Sequence, residues 1–559
     1  MKRGWDKSLE RTAEYRVKIY ISSCFFHFLR QTKSASDIIL VTTLIKQEAL
    51  FMYIKYNMNQ TILPLELEAC LDPDHIVFSI YEFVDSLENH YFEMFETQDG
   101  RPAYHPKPLI MSLLYAYSEG VFSGRKIETM MKENLPMQWL VAQQVISYRT
   151  INRFRASDNC STLLENIFIE FTIKLKLERL VTLDNYFIDG TKIEANANKY
   201  TFVWKKATER YSARLKETAR KYYFEEIQPM VDAGIQYDEE LELDELMLQE
   251  ITELVEEEIS RLNDEIEQYP VKGPDVRKQK RRRLKKHHRK VSKDFLARTQ
   301  KYKKQFETFD GRNSYSRTDT DATFMRMKDD HMMNGQLKAG YNIQAATENQ
   351  FVLDYNIYPN PTDTRTLKPF VESFHHLPKR IVADAGYGSE ENLTYLNENG
   401  IEHLIKYNRF DKDQKKKHKE SDKNLDNWKY RVRENTFTHP DGTIYYYSYQ
   451  SNRKNKSGYT QKVRVYKPKD PDNAPQKALY YNEYYQQLKK IETEKLLSEE
   501  GSAIYGQRQI DVEPVFGQIK AILGYTRCNL RGKKKVKTDV GLVLMANNLR
   551  KYTKRRKIK

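Results

Sequence analysis

Three acidic residues, each in its own motif, carry the chemistry this sequence could do. Asp189 lies in "YFIDGTKIEANANKYTFVW", Asp384 in "KRIVADAGYGS" and Glu513 in "AIYGQRQIDVEPVFGQIKAILG". Asp189 and Asp384 each end an apolar, strand-like run, and Gly190 and Gly386 beside them are expected to let a ligand approach the backbone. Singly, an Asp after a strand is more simply a turn residue or a helix cap. Gathered together, three carboxylates repel: two like charges ~4 Å apart cost about 4 kcal/mol at an effective dielectric near 20. A fold that collects them therefore needs a compensating cation. Oxygen-only ligation by Asp189, Asp384 and Glu513 suits Mg²⁺ or Mn²⁺, expected as two ions, and the absence of Cys or His clusters in these motifs argues against zinc. Such a pair of ions can activate a nucleophile and stabilise the leaving oxygen of a phosphodiester.

The third motif adds Tyr505, Arg508 and Lys520. At 3.6 residues per turn, Glu513 and Lys520 fall within about 20° of one another on a helix face. Lys520 and Arg508 are then placed to hold phosphates, Arg508 through its planar fork. Pro514 suits the first helical turn, which predicts a helix starting at Glu513 with Asp511 as its N-cap rather than as a ligand.

The elements that must position these residues are read from patterning. Residues 1–57 mix basic and apolar residues without clear caps and read as an upstream extension, with the functional chain starting at Met52 or Met58, or else as a small helical appendage. Residues 58–160 carry helical apolar spacing in "PLIMSLLYAY", broken by Gly120, Gly124 and Pro136 and decorated by Arg125, Lys126, Arg149, Arg153 and Arg155. These compact basic helices suit a helix-turn-helix-like DNA-binding unit, or else a plain helical bundle. Residues 206–309 pass from an acidic amphipathic run to the basic run "VRKQKRRRLKKHHRKVSKDF", which predicts an antiparallel helical hairpin. It could close on itself by charge or leave surplus positive charge for a partner. Residues 408–495 are polar, rich in Tyr, Lys and Asn, and read as exposed strands. What is left, 161–205 with 310–407 and 496–551, holds the strand-like runs and all three acids; 552–559 is a basic tail.

Composition bounds the function. A chain of 559 residues exceeds one ordinary core, so two to four domains are expected. A net charge of +15 favours a polyanionic partner. Four cysteines, none at CxxC spacing, predict neither a disulfide framework nor a zinc site and suit a reducing cytoplasm. No apolar run reaches membrane-spanning length.

The motifs "FIDGTKIEANANKYTFVWKK", "VADAGYGSEEN" and "YGQRQIDVEPVFGQIK" resemble the three acidic motifs of bacterial insertion-sequence transposases with a DDE triad. "GRPAYHPKPLIMSLLYAYSEGVFSGRKIE" resembles their N-terminal domain. The resemblance runs from about Met58 to the end and is closest to the group catalogued as eleven eighty-two. It implies an α/β fold: an RNase H-like mixed-sheet core at 161–205, 310–407 and 496–551, a helical DNA-binding domain at 58–160, and the two segments 206–309 and 408–495 as insertions. It also implies Asp189, Asp384 and Glu513 as the triad and Tyr505, Arg508, Glu513 and Lys520 as a Tyr-Arg-Glu-Lys signature, with one residue more between Arg508 and Glu513 than that signature has. Relatives often carry cysteines in the region matching 408–495; this chain has none there, so no zinc is expected. The implied activity is Mg²⁺-dependent cleavage and strand transfer at terminal inverted repeats, with target DNA as second substrate and a homodimer in the DNA complex, in the cytoplasm at the nucleoid. A structure-selective RNase H-like nuclease and a non-catalytic DNA-binding relic are the alternatives; an RNA-binding protein rests on charge alone.

Overall fold

The computed structural model describes residues 67–96, 103–231, 242–327 and 335–557. The extension over 1–57, both candidate start methionines and the last two residues of the basic tail lie outside the described residues. The described residues fall in one unit, Leu67–Lys559.

The N-terminal part is helical: α1 (Ile76–Asp85), α2 (Pro106–Ser118), α3 (Gly124–Glu133), α4 (Tyr148–Arg155) and α5 (Asp158–Leu177). Their starts follow capping chemistry. Pro106 opens α2, where its missing N–H costs nothing, and Ser157 Oγ accepts the Cys160 N–H at the start of α5. In α5 the buried Leu164, Ile167, Phe168, Phe171 and Leu175 recur at three- and four-residue steps, one apolar stripe.

A mixed sheet follows. Its strands are β1 (Asn185–Glu194), β4 (Thr323–Arg326), β5 (Leu337–Glu348), β6 (Phe351–Tyr358), β7 (Arg380–Gly388) and β8 (Glu402–Tyr407); the short β2 (Phe202–Trp204) and β3 (Ser314–Ser316) come between β1 and β4 in the chain. The order is β4-β5-β1-β7-β8, with β6 also on β5; β2 and β3 form a separate two-stranded ladder. β1, β5 and β6 run antiparallel, whereas β1, β7 and β8 run parallel. This mixed α/β sheet is consistent with the RNase H-like expectation.

Between β2 and β3 the chain leaves as helices α6 (Lys205–Tyr222), α7 (Glu245–Gln268), α8 (Val276–Lys290) and α9 (Ala297–Phe309). They enclose their own apolar core, with Leu215, Leu248, Val255, Leu284 and Phe295 in it. α7 and α8 lie antiparallel: Glu258 pairs with Lys280 at 2.8 Å, and Arg277 Nη1 reaches the Glu265 carbonyl at 3.0 Å. Exit and return are zipped together by the β2–β3 pairing, Phe202 opposite Ser316 and Trp204 opposite Ser314.

After β8 comes a second sheet, β9 (Lys429–Arg431), β10 (Thr436–Thr438), β11 (Ile444–Lys454), β12 (Thr460–Pro468) and β13 (Leu479–Tyr481), over a small core of Trp428, Phe437, Tyr445, Tyr466 and Leu479. Helices α10 (Glu390–Glu398), α11 (Glu483–Leu497), α12 (Glu499–Gly517) and α13 (Lys533–Arg556) complete the chain. α12 packs on β1 and β5. α13 runs between the N-terminal helices and β6. Because α13 is enclosed on all sides, every residue from Thr538 to Leu549 is buried. Its polar members need partners: Asp539 accepts from Tyr117 Oη at 2.5 Å and Tyr525 Oη at 2.7 Å, and Asn548 bonds both backbone groups of Val352 on β6.

Candidate active site

Asp189 and Asp384 stand side by side because of where two parallel strands part. The β1–β7 ladder ends with Ile188 opposite Ala383, and the two acids are the next residue on each strand. Neighbouring strands lie about 4.8 Å apart, so their backbones start from adjacent positions. β1 does not end there, as the sequence pattern suggested; it continues to Glu194, paired with β5 on that stretch and bridged to Arg527 at its last residue. β7 instead bulges. Its register with β8 jumps from Ala383–Ile405 to Gly388–Tyr407, so residues 384–387 swing out of the ladder. Asp384 Oδ1 accepts the Gly386 N–H at 2.8 Å across this bulge, and Asp189 Oδ1 accepts the Gly190 N–H at 2.8 Å.

Glu513 comes from the last turns of α12, not from a helix start. The helix begins after the N-cap Ser498 and carries Pro514 inside it. A proline there removes a hydrogen bond to the carbonyl four residues back. That carbonyl, Ile510 O, is instead met by Gln350 Nε2 at 2.9 Å, from the β5–β6 turn. Asp511 is likewise no N-cap. It is buried, and its Oδ1 accepts from Thr347 Oγ1 at 2.6 Å and from the Gln350 N–H at 3.0 Å; burial raises its pKa against those two bonds. Lys520 sits in a π turn, Gln518–Ile522, whose wider winding breaks the 3.6-residue phase behind its expected alignment with Glu513. It lines a small recess with Thr191 and Ile193 of β1.

Arg508 joins these parts. Only 8% exposed, it reaches Asp189 Oδ2 with Nη1 at 3.8 Å and Glu513 Oε1 with Nη2 at 3.3 Å. Its Nε is buried without a hydrogen-bond partner. Its guanidinium lies 5.9 Å from the Tyr505 ring, over which Lys406 also stands at 4.8 Å. Burial pushes the Tyr505 hydroxyl up to about 12, Arg508 opposing and Asp384 adding to the rise. Arg508 thus links Asp189 to Glu513, and Tyr505 lies beside Arg508 and feels the charge of Asp384.

A fourth acid belongs to this neighbourhood and went unread in the sequence. Asp363, in "PNPTDTRT", accepts from Asn342 Nδ2 at 2.7 Å and Gln344 Nε2 at 2.9 Å, both on β5. Tyr387, fully buried, donates its hydroxyl to Gln344 Oε1. Burial, then the charges of Asp363, Asp189 and Asp384, hold that phenol far above its usual range. Gly190 is explained by the same network. A Cβ there would stand 2.4 Å from Gln344 Nε2 and 2.6 Å from Asp363 Oδ1. Its space is filled from within and is not left to a ligand; Gly386, by contrast, is exposed. The only sequence signal for Asp363 was an acid in a Pro/Thr-rich turn, which by itself reads as a cap.

Among the described residues, no three His, Cys, Asp or Glu side chains form a ready-made metal cage. The acids at the β1–β7 junction nevertheless offer hard oxygen donors, the chemistry Mg²⁺ or Mn²⁺ takes.

Comparison with known families decides the class. A family described as "Transposase DDE domain" matches residues 312–549, and "Transposase domain (DUF772)" matches residues 65–157. The chain is a DDE-type transposase. Such transposases act on DNA, moving it by strand cleavage and transfer. Neither a curated protein nor a solved structure matches the chain. No helix among the described residues is long and apolar enough to cross a membrane.

Proposed function

We propose that this transposase binds the terminal inverted repeats of an insertion sequence of the group catalogued as eleven eighty-two, cuts DNA there and joins the freed ends to target DNA. The observation that supports this reading is the end of the β1–β7 pairing at Ile188 and Ala383, where two acids from motifs far apart in sequence come next on adjacent strands, with Glu513 tied to Asp189 through Arg508.

Asp189, Asp384 and Glu513 would hold two divalent cations, Mg²⁺ or Mn²⁺. When bound, these supply Lewis acidity and an activated oxygen nucleophile for in-line phosphoryl transfer. The side chains do the rest. Arg508 neutralises the acids before DNA arrives and can turn its fork to a phosphate when they are otherwise compensated. Tyr505 keeps its proton and presents a neutral ring beside Arg508 and Asp384. Lys520 would hold a further phosphate. The helices of 58–160 and the basic face of α8 would grip the DNA backbone, together with the tail at 552–559. Two copies would pair on two element ends, in the cytoplasm at the nucleoid.

The test is a labelled duplex ending in the terminal repeat, incubated with the full chain and Mg²⁺. Nicking that leaves a 3′-hydroxyl, followed by joining, is expected. Asp189→Ala, Asp384→Ala and Glu513→Ala are each expected to bind without cutting. Cutting of branched DNA regardless of sequence would replace this reading with a structure-selective nuclease. Binding without any nicking by the unsubstituted chain would make it a relic.

A further inference from the structure

A cavity of about 240 Å³ lies between the π turn that ends α12 and the last turns of α13, with none of Asp189, Asp384 and Glu513 in its lining. Four of its lining residues are cationic, Arg550, Lys551, Lys554 and Arg555. Asn547 forms part of its wall. It is 2% exposed, yet its Nδ2 has no hydrogen-bond partner. Its neighbour Asn548 is fully satisfied by the β6 backbone, so the orphaned donor belongs to the cavity and not to a general looseness of the helix. An unmet buried amide donor is costly, so a native fold keeps few of them, and a bound ion or ligand is one thing that can meet such a donor.

The charges are equally unbalanced. Asp511 is the acid whose charge acts on Lys551, and the Asp511 Oδ1 is taken by Thr347 and Gln350. Burial, reinforced by Arg555 and opposed by Asp511, lowers the Lys551 pKa to about 8: its ammonium lacks sufficient counter-charge. The helix ends here are the carbonyl-rich C-termini, which favour cations, so the cations gather naturally and an anion must be held by side chains. Lys551 Nζ is steadied by Gln350 Oε1 at 2.8 Å, and Arg550 donates to the Ser118 carbonyl of α2, which fixes the rim.

We infer that this cavity seats one phosphate of the DNA backbone, with Asn547 Nδ2 and Lys551 as its inner donors and Lys554 and Arg555 as its mouth. The inference rests on the reading of the chain as a DNA-acting transposase and adds a specific phosphate seat to it, separate from the acids. A free phosphate shares the chemistry, and the experiment distinguishes the two.

The lysines of the full chain are labelled with an amine-reactive reagent and mapped by mass spectrometry, alone, with duplex DNA, and with inorganic phosphate. Duplex is expected to protect Lys551 and Lys554. Lys551→Gln and Asn547→Asp, with unfolding temperatures checked, are expected to weaken binding evenly across sequences. Each should also make the slope of log affinity against log salt shallower by about one, the signature of one lost phosphate contact. Protection of other lysines, such as those of α8, with Lys551 equally labelled throughout, overturns the phosphate seat and leaves the transposase reading standing. Protection by inorganic phosphate but not by duplex overturns the assignment to DNA. No protection anywhere by duplex, with no binding, sinks both.

Discussion

Arg508 Nη1 lies 3.8 Å from Asp189 Oδ2 while its Nη2 holds Glu513 at 3.3 Å, so one guanidinium bridges two of the three acids that motif order brings together. The compensating cation that three gathered carboxylates require is thus supplied in part by the chain itself.

Removing that cation should expose the repulsion. Arg508→Ala is expected to destabilise the fold by roughly 1–3 kcal/mol, less than a fully buried pair would cost because half of the Glu513 side chain is exposed. Mg²⁺ should then raise the unfolding temperature of the variant more than that of the unsubstituted chain, since the ion takes over the charge. Equal Mg²⁺ responses in thermal melts would show that the acids do not share a cation.

The acids themselves should separate binding from chemistry. Asp189→Asn and Asp384→Asn keep shape and remove charge; each is expected to lower duplex cleavage in Mg²⁺ by at least about a hundredfold, with DNA affinity changed less than threefold. Single-turnover cleavage alongside filter binding makes the comparison.

The bulge after Asp384 depends on Gly388. A Cβ there would stand 2.1 Å from the Lys406 carbonyl and 2.8 Å from the Tyr407 Cα, both backbone atoms of β8. Gly388→Ala is expected to cost about 2–3 kcal/mol in urea unfolding, because the strand must move to admit the methyl group. Gly442→Ala serves as the comparison: a Cβ there meets nothing, and only its positive φ is penalised.

Glu390 should prove to be the fastener of the second sheet. Buried beside the Asp384 bulge, it accepts from Tyr459 Oη at 3.1 Å, Gln461 Nε2 at 2.7 Å and Asn482 Nδ2 at 2.6 Å. Glu390→Leu leaves those donors unmet and is expected to speed proteolytic cleavage within 408–482 severalfold, with cleavage elsewhere unchanged.

Lys551 gives a pH dependence whose sign is fixed. Its folded pKa, about 8, lies below the ordinary lysine value, so between about 8 and 10.5 the unfolded chain binds more protons than the folded one. Its contribution to stability therefore rises with pH across that window, and the burden is greatest below 8, where both states are charged. Lys551→Met should flatten this part of a stability–pH profile.

Legibility in the sequence followed distance along the chain. Asp189 and Asp384 could be read because each sits in a local apolar-then-glycine pattern, and Glu513 because its motif carries Tyr505, Arg508 and Lys520. The antiparallel α7–α8 pair followed from an acidic run facing a basic one. The expected helix start at Glu513 fails for a physical reason: part of the cost of a proline inside a helix is the carbonyl it leaves unmet, and Gln350, remote in sequence, meets that carbonyl of Ile510. Asp363 stayed hidden because its meaning lies in Asn342 and Gln344 across the sheet, and a turn acid has no periodicity to betray it.

The two-residue turn at Asn349 and Gln350, both in left-handed backbone conformation, thereby acquires a narrow mechanical tolerance. Through Gln350 it splints the broken rung of α12 and anchors the carboxylate of Asp511, and it braces Lys551 from the opposite side. Inserting a single residue at this hairpin apex would withdraw all three supports at once, so a lesion that touches none of Asp189, Asp384 and Glu513 would tilt the helix that delivers Glu513.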